Sequence, residues 1–388
     1  MALRDRQHEP VRPIHVAFLT GFIPPYQAPV YRALAKRVER LSLLVSTPME
    51  HDRKWDADWE GLDVAVQRTW SLRRKNLSRK VAGDPGGLHM PLDTWKRLRQ
   101  LNPDVVVSEE LGFRSLLCVA RRLAVKRTPL VLVCNVSEHT ERNRGSVRRI
   151  LRRLLLRNCT AVTVGGSSGE RYINSLGVDA DRIFRFPYAA ISEPFLNVAI
   201  DRENPPPHRL VYCGALSERK GTLPMLRAVS GFAKANPEQR FELTMIGDGP
   251  LRKEIELLAV ADNLKLHLTG HVSYDELARL FSSQSAMIFP TMSDEWGLVV
   301  NEALAAGLPV LGSVYSQAVL ELVDSCNGWQ FRPDDADNFA RVLRDYLSTT
   351  PEELRRMRDN ARKSVANRTP DWSVKQLLQA IDAVLKPS

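Results

Sequence analysis

Two series of short apolar runs set the plan of the chain. The first occupies residues 14–20, 41–46, 104–108, 129–134 and 160–164, and the second 209–214, 241–246, 265–269, 286–290 and 309–313. Runs this short and this rich in Val, Leu and Ile, alternating with amphipathic helical segments, predict parallel strands covered by helices. Between the series lies Asp201-Arg-Glu-Asn-Pro-Pro-Pro-His208, whose three prolines fit neither a helix nor a central strand and mark a linker. The expected class is α/β, with two Rossmann-like doubly wound domains facing a central cleft at the carboxyl ends of their strands. A last segment, Trp372 to Leu385, has apolar residues at 374, 377, 378, 381, 384 and 385, the spacing of a helix that docks as the final element.

Composition narrows the class without changing it. The 388 residues suffice for two cores, since single cores stop growing near ~250–300 residues. A content of 44% hydrophobic and 26% charged residues excludes disorder and collagen. No run of ~18 apolar residues is present, and the start Met-Ala-Leu-Arg-Asp-Arg-Gln-His is charged where a signal peptide needs an apolar core. The reading is cytosolic and non-spanning. Cys118, Cys134, Cys159, Cys213 and Cys326 are too dispersed for a zinc site or a disulfide framework and read as buried free thiols. The net charge of +10 is uneven: residues 1–190 hold 33 Lys and Arg against 19 Asp and Glu, and residues 191–388 hold 22 against 26. An anionic partner would therefore meet the first half.

The densest chemistry lies in Ser293-Asp-Glu-Trp-Gly-Leu-Val-Val-Asn-Glu-Ala-Leu-Ala-Ala-Gly-Leu-Pro-Val310. It follows a strand ending at Pro290, and Gly297 opens a helix expected to run to about Ala306, with Gly307 as its stop. The N–H groups of Gly297, Leu298 and Val299 would be free donors at the positive end of that helix, suited to a diphosphate. Asp294 and Glu302 flank the site. Carboxylates beside a phosphate site repel it unless they face hydroxyls, so sugar rings are their fitting partners. Taken alone, the same residues also fit a helix cap and a solvated helix position.

The segment resembles the acidic signature of family-4 retaining glycosyltransferases of the GT-B fold: a carboxylate, seven residues, Glu, then a Gly and a Pro. Here these are Asp294, Glu302, Gly307 and Pro309, with Asp where Glu is commoner and Glu295 one residue out of register. Three further blocks resemble the same family in order. Cys213-Gly-Ala-Leu-Ser-Glu-Arg-Lys-Gly221 resembles the loop whose Lys, here Lys220, meets the donor diphosphate; the usual Arg after the first Gly is Ala215, and Arg219 is the candidate substitute. Ile246-Gly-Asp-Gly-Pro250 resembles the next strand-end turn, through Gly247 and Gly249, and Thr269-Gly-His-Val-Ser273 the segment that meets the nucleobase, through His271 and Val272. On the other half, Gly21 stands in the loop expected to approach the transferred sugar, and His139 follows a strand end where the family often has a polar catalytic-side residue.

The resemblance implies an acceptor-binding domain over 1–195 joined by the terminal helix 370–388, and a nucleotide-sugar-binding domain over 208–369. It implies retaining, metal-independent hexosyl transfer from a nucleotide sugar, with no other cofactor, to a glycan or polyprenol-linked acceptor in surface polysaccharide or glycolipid assembly. Catalytic candidates are Lys220, Asp294, Glu302 and His139. The alternatives are a nucleotide-sugar-binding protein without transferase activity, and a GT-B epimerase or phosphorylase. Asp-x-Asp pairs at 56/58, 179/181 and 335/337 could hold a divalent ion on phosphates, but none follows a strand in a suitable place, so no metal is expected.

Basic clusters at Arg73–Lys80, Lys96–Arg99 and residues 146–158 account for much of the positive charge. In the last, apolar residues at 147, 150, 151, 154 and 155 and arginines at 148, 149, 152, 153 and 157 form two faces of one helix. Either the apolar face packs on the first sheet with the arginines in water, or the helix meets an anionic membrane surface at the inner face of the cell membrane. Nucleic acid is not expected, because no helix-turn-helix, zinc or aromatic RNA-binding signature accompanies the charge.

Overall fold

The computed structural model describes residues 10–49, 58–72, 88–125, 128–142, 144–190, 193–199 and 208–386. Two parallel sheets form the framework. The first has seven strands in the spatial order Asp63–Val66, Val38–Val45, Arg12–Thr20, Val105–Glu109, Leu130–Cys134, Ala161–Val164, Ile183–Arg185. The second has six, in the order Leu264–Gly270, Phe241–Ile246, Arg209–Cys213, Ala286–Phe289, Val310–Ser313, Gly328–Phe331. Every neighbouring pair in both sheets is parallel. In each, the first strand in the chain lies inside the sheet, so the strand order reverses beside it and opens a crevice at the carboxyl ends.

All ten predicted strands form. The central ones are buried along their length, as continuous apolar runs dictate: Val105–Glu109, Leu130–Cys134 and Ala161–Val164 contain no exposed residue. The strands Asp63–Val66, Ile183–Arg185 and Gly328–Phe331 were not predicted; they are edge strands of three or four residues, too short and half-exposed to stand out.

The terminal helix, Pro370–Leu385, returns to the first domain. Val374, Leu377, Leu378 and Ile381 share a core with Leu34, Val38, Val133 and Ala161. Each fully buried Leu or Ile there stabilises the docking by roughly 1.5–3 kcal/mol. Arg12 grips Asp382 through two bonds of 2.9 Å, and the Ser373 hydroxyl donates to the Pro187 carbonyl at 2.6 Å. The other crossing comes earlier than the proline-rich segment. Phe195, placed by sequence at the end of the first domain, lies in the second domain's core, with its ring 5.4 Å from Tyr274 and 6.0 Å from Phe281. Residues 201–207 of the linker and the cluster Arg73–Lys80 lie outside the described residues.

Two expectations fail. Cys326 is exposed and Cys213 is only partly covered, so the five thiols are not uniformly buried. The first alternative for the helix Ser146–Arg157 fails for four of its five apolar positions: Leu155 faces inward with Arg152 and Leu156, and Val147, Ile150, Leu151 and Leu154 face out. The cause is a buried ion pair between Arg152 and Glu141, which turns that side of the helix toward the body of the domain. Lys96–Arg99 lie on the helix Thr94–Leu101, where Arg97 pairs with Asp93 at 2.8 Å. No helix among the described residues is long and apolar enough to cross a membrane.

Candidate functional site

The strand Ala286–Phe289 runs into a loop, residues 290–297, and then into the helix Leu298–Ala305. Serines and a threonine fasten this loop from below. The Ser313 hydroxyl donates to the Thr291 carbonyl at 2.6 Å, Thr291 to the Ser293 carbonyl at 3.1 Å, and Ser316 to the Trp296 carbonyl. Gly297 takes φ +104, and an added Cβ would come within 2.8 Å of the Phe289 ring. Only glycine lets the loop turn there, and it leaves the first-turn N–H groups of the helix without intrahelical acceptors. This is the geometry of an anion site over Gly297, Leu298 and Val299.

The Lys220 loop is laid against the acidic loop. Gly221, at φ +66, sits where a Cβ would lie 2.3 Å from the Pro290 carbonyl oxygen, and Met292 N–H donates to the Arg219 carbonyl at 2.9 Å. Lys220 Nζ thereby reaches Asp294 Oδ2 and forms an ion pair, 5.4 Å above the Phe289 ring. Both side chains are about 15% exposed, so the pair is shielded but open on one side. Arg219 is turned elsewhere: its Nη1 donates to the Ser293 carbonyl at 3.1 Å, bracing the loop from behind.

Glu302, one face further along the helix, is buried and accepts the Tyr274 hydroxyl. Burial pushes its carboxyl up from 4.5 to about 7, against the pull of the Tyr274 bond. The same contact and burial raise the Tyr274 hydroxyl. The unfolded chain releases this proton near 4.5 and the folded chain holds it to about 7, so stability falls as pH rises through that window. At ~1.4 kcal/mol per unit the loss is about 3 kcal/mol. Glu302→Gln should therefore match the wild-type melting temperature at pH 4 and exceed it at pH 8; parallel melting curves across this range would contradict the assignment.

Gly247 and Gly249 are required by the meeting of two loops. A Cβ on Gly247 would lie 2.2 Å from the Gly214 carbonyl oxygen, and one on Gly249 2.4 Å from that of Leu216. Val272 packs against the second domain's core while His271 is exposed beside it. Gly21 differs: its φ is ordinary and a Cβ would meet only the Arg114 guanidinium at 3.8 Å, so the fold does not demand glycine there. His139 is not bonded to Asp294. Its ring stacks on Tyr315 at 3.9 Å across the domain boundary, and burial holds its imidazole below the usual value and therefore neutral near pH 7. The Tyr315 carbonyl in turn accepts Asp294 N–H at 3.2 Å, which places His139 behind the acidic loop.

The first domain adds a carboxyl not singled out from sequence. Glu109 ends the strand Val105–Glu109 and is buried, with Thr20 donating a hydroxyl, Gln27 an amide at 3.2 Å and Asn135 an amide at 2.9 Å. Burial, then the neighbouring Glu110, raises it. Glu110 itself has φ +70, an unusual backbone for a non-glycine residue at a strand end. A small recess lies beside Glu109, walled by Tyr26, Gln27, Asn135 and Tyr188. The Tyr188 ring is 6.3 Å from Tyr26 and 6.2 Å from Trp296 of the acidic loop, so this recess lies next to that loop. The available signal was an acidic pair directly after a buried apolar run, at the carboxyl end of a central strand.

Among the described residues no group of three or more His, Cys, Asp and Glu is arranged to hold a metal ion. Asp58 pairs with Arg32 at 2.6 Å, and Asp335 caps the helix Ala336–Leu347. Asp56 lies outside the described residues.

Comparison with known proteins agrees with this architecture. Residues 198–364 match the model for glycosyl transferases group 1, and residues 23–189 the glycosyl transferase 4-like domain. The chain is 24% identical over 275 residues, 70% of each protein, to the GalNAc-alpha-(1->4)-GalNAc-alpha-(1->3)-diNAcBac-PP-undecaprenol alpha-1,4-N-acetyl-D-galactosaminyltransferase of Campylobacter jejuni. It is 29% identical over 163 residues to D-inositol 3-phosphate glycosyltransferase of Streptomyces avermitilis, covering 39% of this chain and only 35% of that one. The crystal structure of Anabaena HepE in complex with UDP superposes with a TM-score of 0.71 at 13% identity, over 95% of this chain and 100% of that one. With both halves matched and two facing Rossmann-like domains, the chain belongs to the group 1, family-4 glycosyltransferases and has the GT-B fold.

Proposed function

We propose that the protein is a retaining, metal-independent hexosyltransferase that moves a sugar from a nucleotide-sugar donor to a glycan or polyprenol-linked acceptor, in the assembly of cell-surface polysaccharide or glycolipid. The observation that carries this reading is the Lys220–Asp294 pair held beside the open first turn of the helix Leu298–Ala305. A diphosphate arriving at Gly297, Leu298 and Val299 competes with Asp294 for Lys220. As Lys220 turns to the diphosphate, Asp294 is released to accept a hydroxyl of the transferred sugar. Glu302 binds the ribose hydroxyls, replacing the bond now made by Tyr274. Negative charge that grows on the departing diphosphate is met by Lys220 and the helix N–H groups, which is where such catalysis gains most.

The acceptor oxygen attacks the anomeric carbon on the face the diphosphate leaves. The new C–O bond forms as the bond to phosphate breaks, and the acceptor proton passes to the departing phosphate oxygen. No enzyme nucleophile is required, and no cofactor besides the nucleotide sugar. Glu109 supports the acceptor side, its carboxyl fixed by Thr20, Gln27 and Asn135 and facing the recess. Glu109→Gln is expected to raise the acceptor KM about tenfold, the loss of one hydrogen bond to a charged group. Nucleotide-induced thermal stabilisation should be unchanged; equal loss of donor binding would contradict a place on the acceptor side.

The Campylobacter relative acts, by its name, on an undecaprenol-linked glycan, and the Anabaena protein binds UDP. Both fit this reading, as does a cytoplasmic enzyme held peripherally at the inner face of the cell membrane. The test is transfer by the purified chain with and without EDTA. Product formation that requires an acceptor and retains the anomeric configuration supports the proposal; donor turnover without an acceptor would indicate an epimerase instead.

A further inference from the structure

The helix Ser146–Arg157 turns its greasy face to water. Val147, Ile150, Leu151 and Leu154 follow the i, i+3, i+4, i+7 spacing of one helical stripe and are 71, 56, 54 and 53% exposed. On the adjoining helix Phe113–Ala124, Leu116 and Leu123 lie two turns apart on the outer side and are 47 and 66% exposed. Monomeric proteins rarely leave a contiguous apolar patch of this kind without a partner.

The charge around the patch identifies the partner. The helix carries five arginines and no carboxylate. Arg152 is consumed inside the domain by Glu141 and the Tyr172 hydroxyl, the latter at 2.8 Å. Arg153 and Arg157 edge the stripe, exposed, with no ion pair among the described residues, while Arg148 and Arg149 start the helix on the side of Arg152 and Leu156. A second copy of this face would bring arginine against arginine. An apolar stripe edged by unpaired cations instead matches the boundary between acyl chains and anionic headgroups.

We propose that this face docks the enzyme on an anionic lipid bilayer, with Val147, Ile150, Leu151 and Leu154 in the headgroup–acyl boundary and the flanking arginines on lipid phosphates. The proposal deepens the peripheral position given above, and it is read without any sugar substrate. Arg152 does not take part, despite lying in the same basic run.

The experiment is sedimentation of the full chain with phosphatidylcholine vesicles, with and without phosphatidylglycerol. Binding is expected on the anionic vesicles alone and should weaken with salt. Arg153→Gln with Arg157→Gln should lower partitioning about thirtyfold, from the contribution of two surface cations. Ile150→Asn with Leu154→Asn should lower it at least tenfold. Both double variants change exposed side chains, so melting temperature and its shift by nucleotide sugars should match wild type. Absence of binding to anionic vesicles, or undiminished binding by both variants, overturns the proposal. So does a dimer in analytical ultracentrifugation that Ile150→Asn with Leu154→Asn abolishes, which would assign the face to self-association.

Discussion

Lys220→Ala is expected to lower the rate of sugar transfer by about ten- to a hundredfold. The figure follows from the roughly 1.5–3 kcal/mol of a charge-assisted hydrogen bond to the diphosphate in the transition state. The same change leaves the Asp294 carboxylate, 14% exposed, without its partner, at a cost of about 1–3 kcal/mol in stability. Adding Asp294→Asn separates the two effects. The double variant should recover the lost melting temperature because no unpaired charge is left, yet its rate should be no higher than that of Lys220→Ala. Recovery of both stability and rate would show that Lys220 serves only to neutralise Asp294.

The largest structural effect is expected at Gly297. In Gly297→Ala the backbone must keep φ +104 and place a methyl 2.8 Å from Phe289 Cε1 and 3.0 Å from Ser316 Oγ. Left-handed backbone and overpacking together cost about 2–5 kcal/mol. Relief of that strain moves the first turn of the helix away from the Lys220–Asp294 pair. A displacement near ~1 Å at such a position costs on the order of a hundredfold in rate. Thermal melting and initial rates at a temperature where the variant is folded measure the two effects. Gly21→Ala is the control, since its methyl would have 3.8 Å of clearance and ordinary φ; it should leave melting temperature unchanged.

The proposed donor side carried the stronger sequence signal because its candidate residues are contiguous. Asp294, Gly297 and Glu302 stand in one loop–helix segment, and the strand runs and glycines around it have strong local signatures. The ion pair between Lys220 and Asp294, across 74 positions, became visible only with Gly221 folded onto Pro290. The proposed acceptor side was nearly silent for a related reason. Gln27, Glu109, Asn135 and Tyr188 come from four separate segments, and only Glu109, in an acidic pair after a buried apolar run, carries a local signal. Tyr274 was missed because an exposed aromatic at the start of a helix gives no sign of the carboxyl it meets.

Orientation was the other limit. Periodicity showed two faces on the helix Ser146–Arg157, but not which one points inward. That was decided by Glu141, a residue outside the helix that draws Arg152 into the domain. Likewise, the three prolines drew the expected domain boundary toward residues 201–208, while Phe195 shows that the chain has already entered the second core before reaching them. In both cases a single buried contact at long range outweighs the local pattern.

The central claim is nucleotide-sugar-dependent transfer. Its most direct test is the purified chain against a panel of UDP-, GDP- and ADP-sugars, reading thermal stabilisation and product formation with a lipid-linked acceptor extract. The account predicts stabilisation by one nucleotide sugar, undiminished by EDTA, together with transfer that Lys220→Ala depresses. Failure of every nucleotide sugar to stabilise the protein would contradict it.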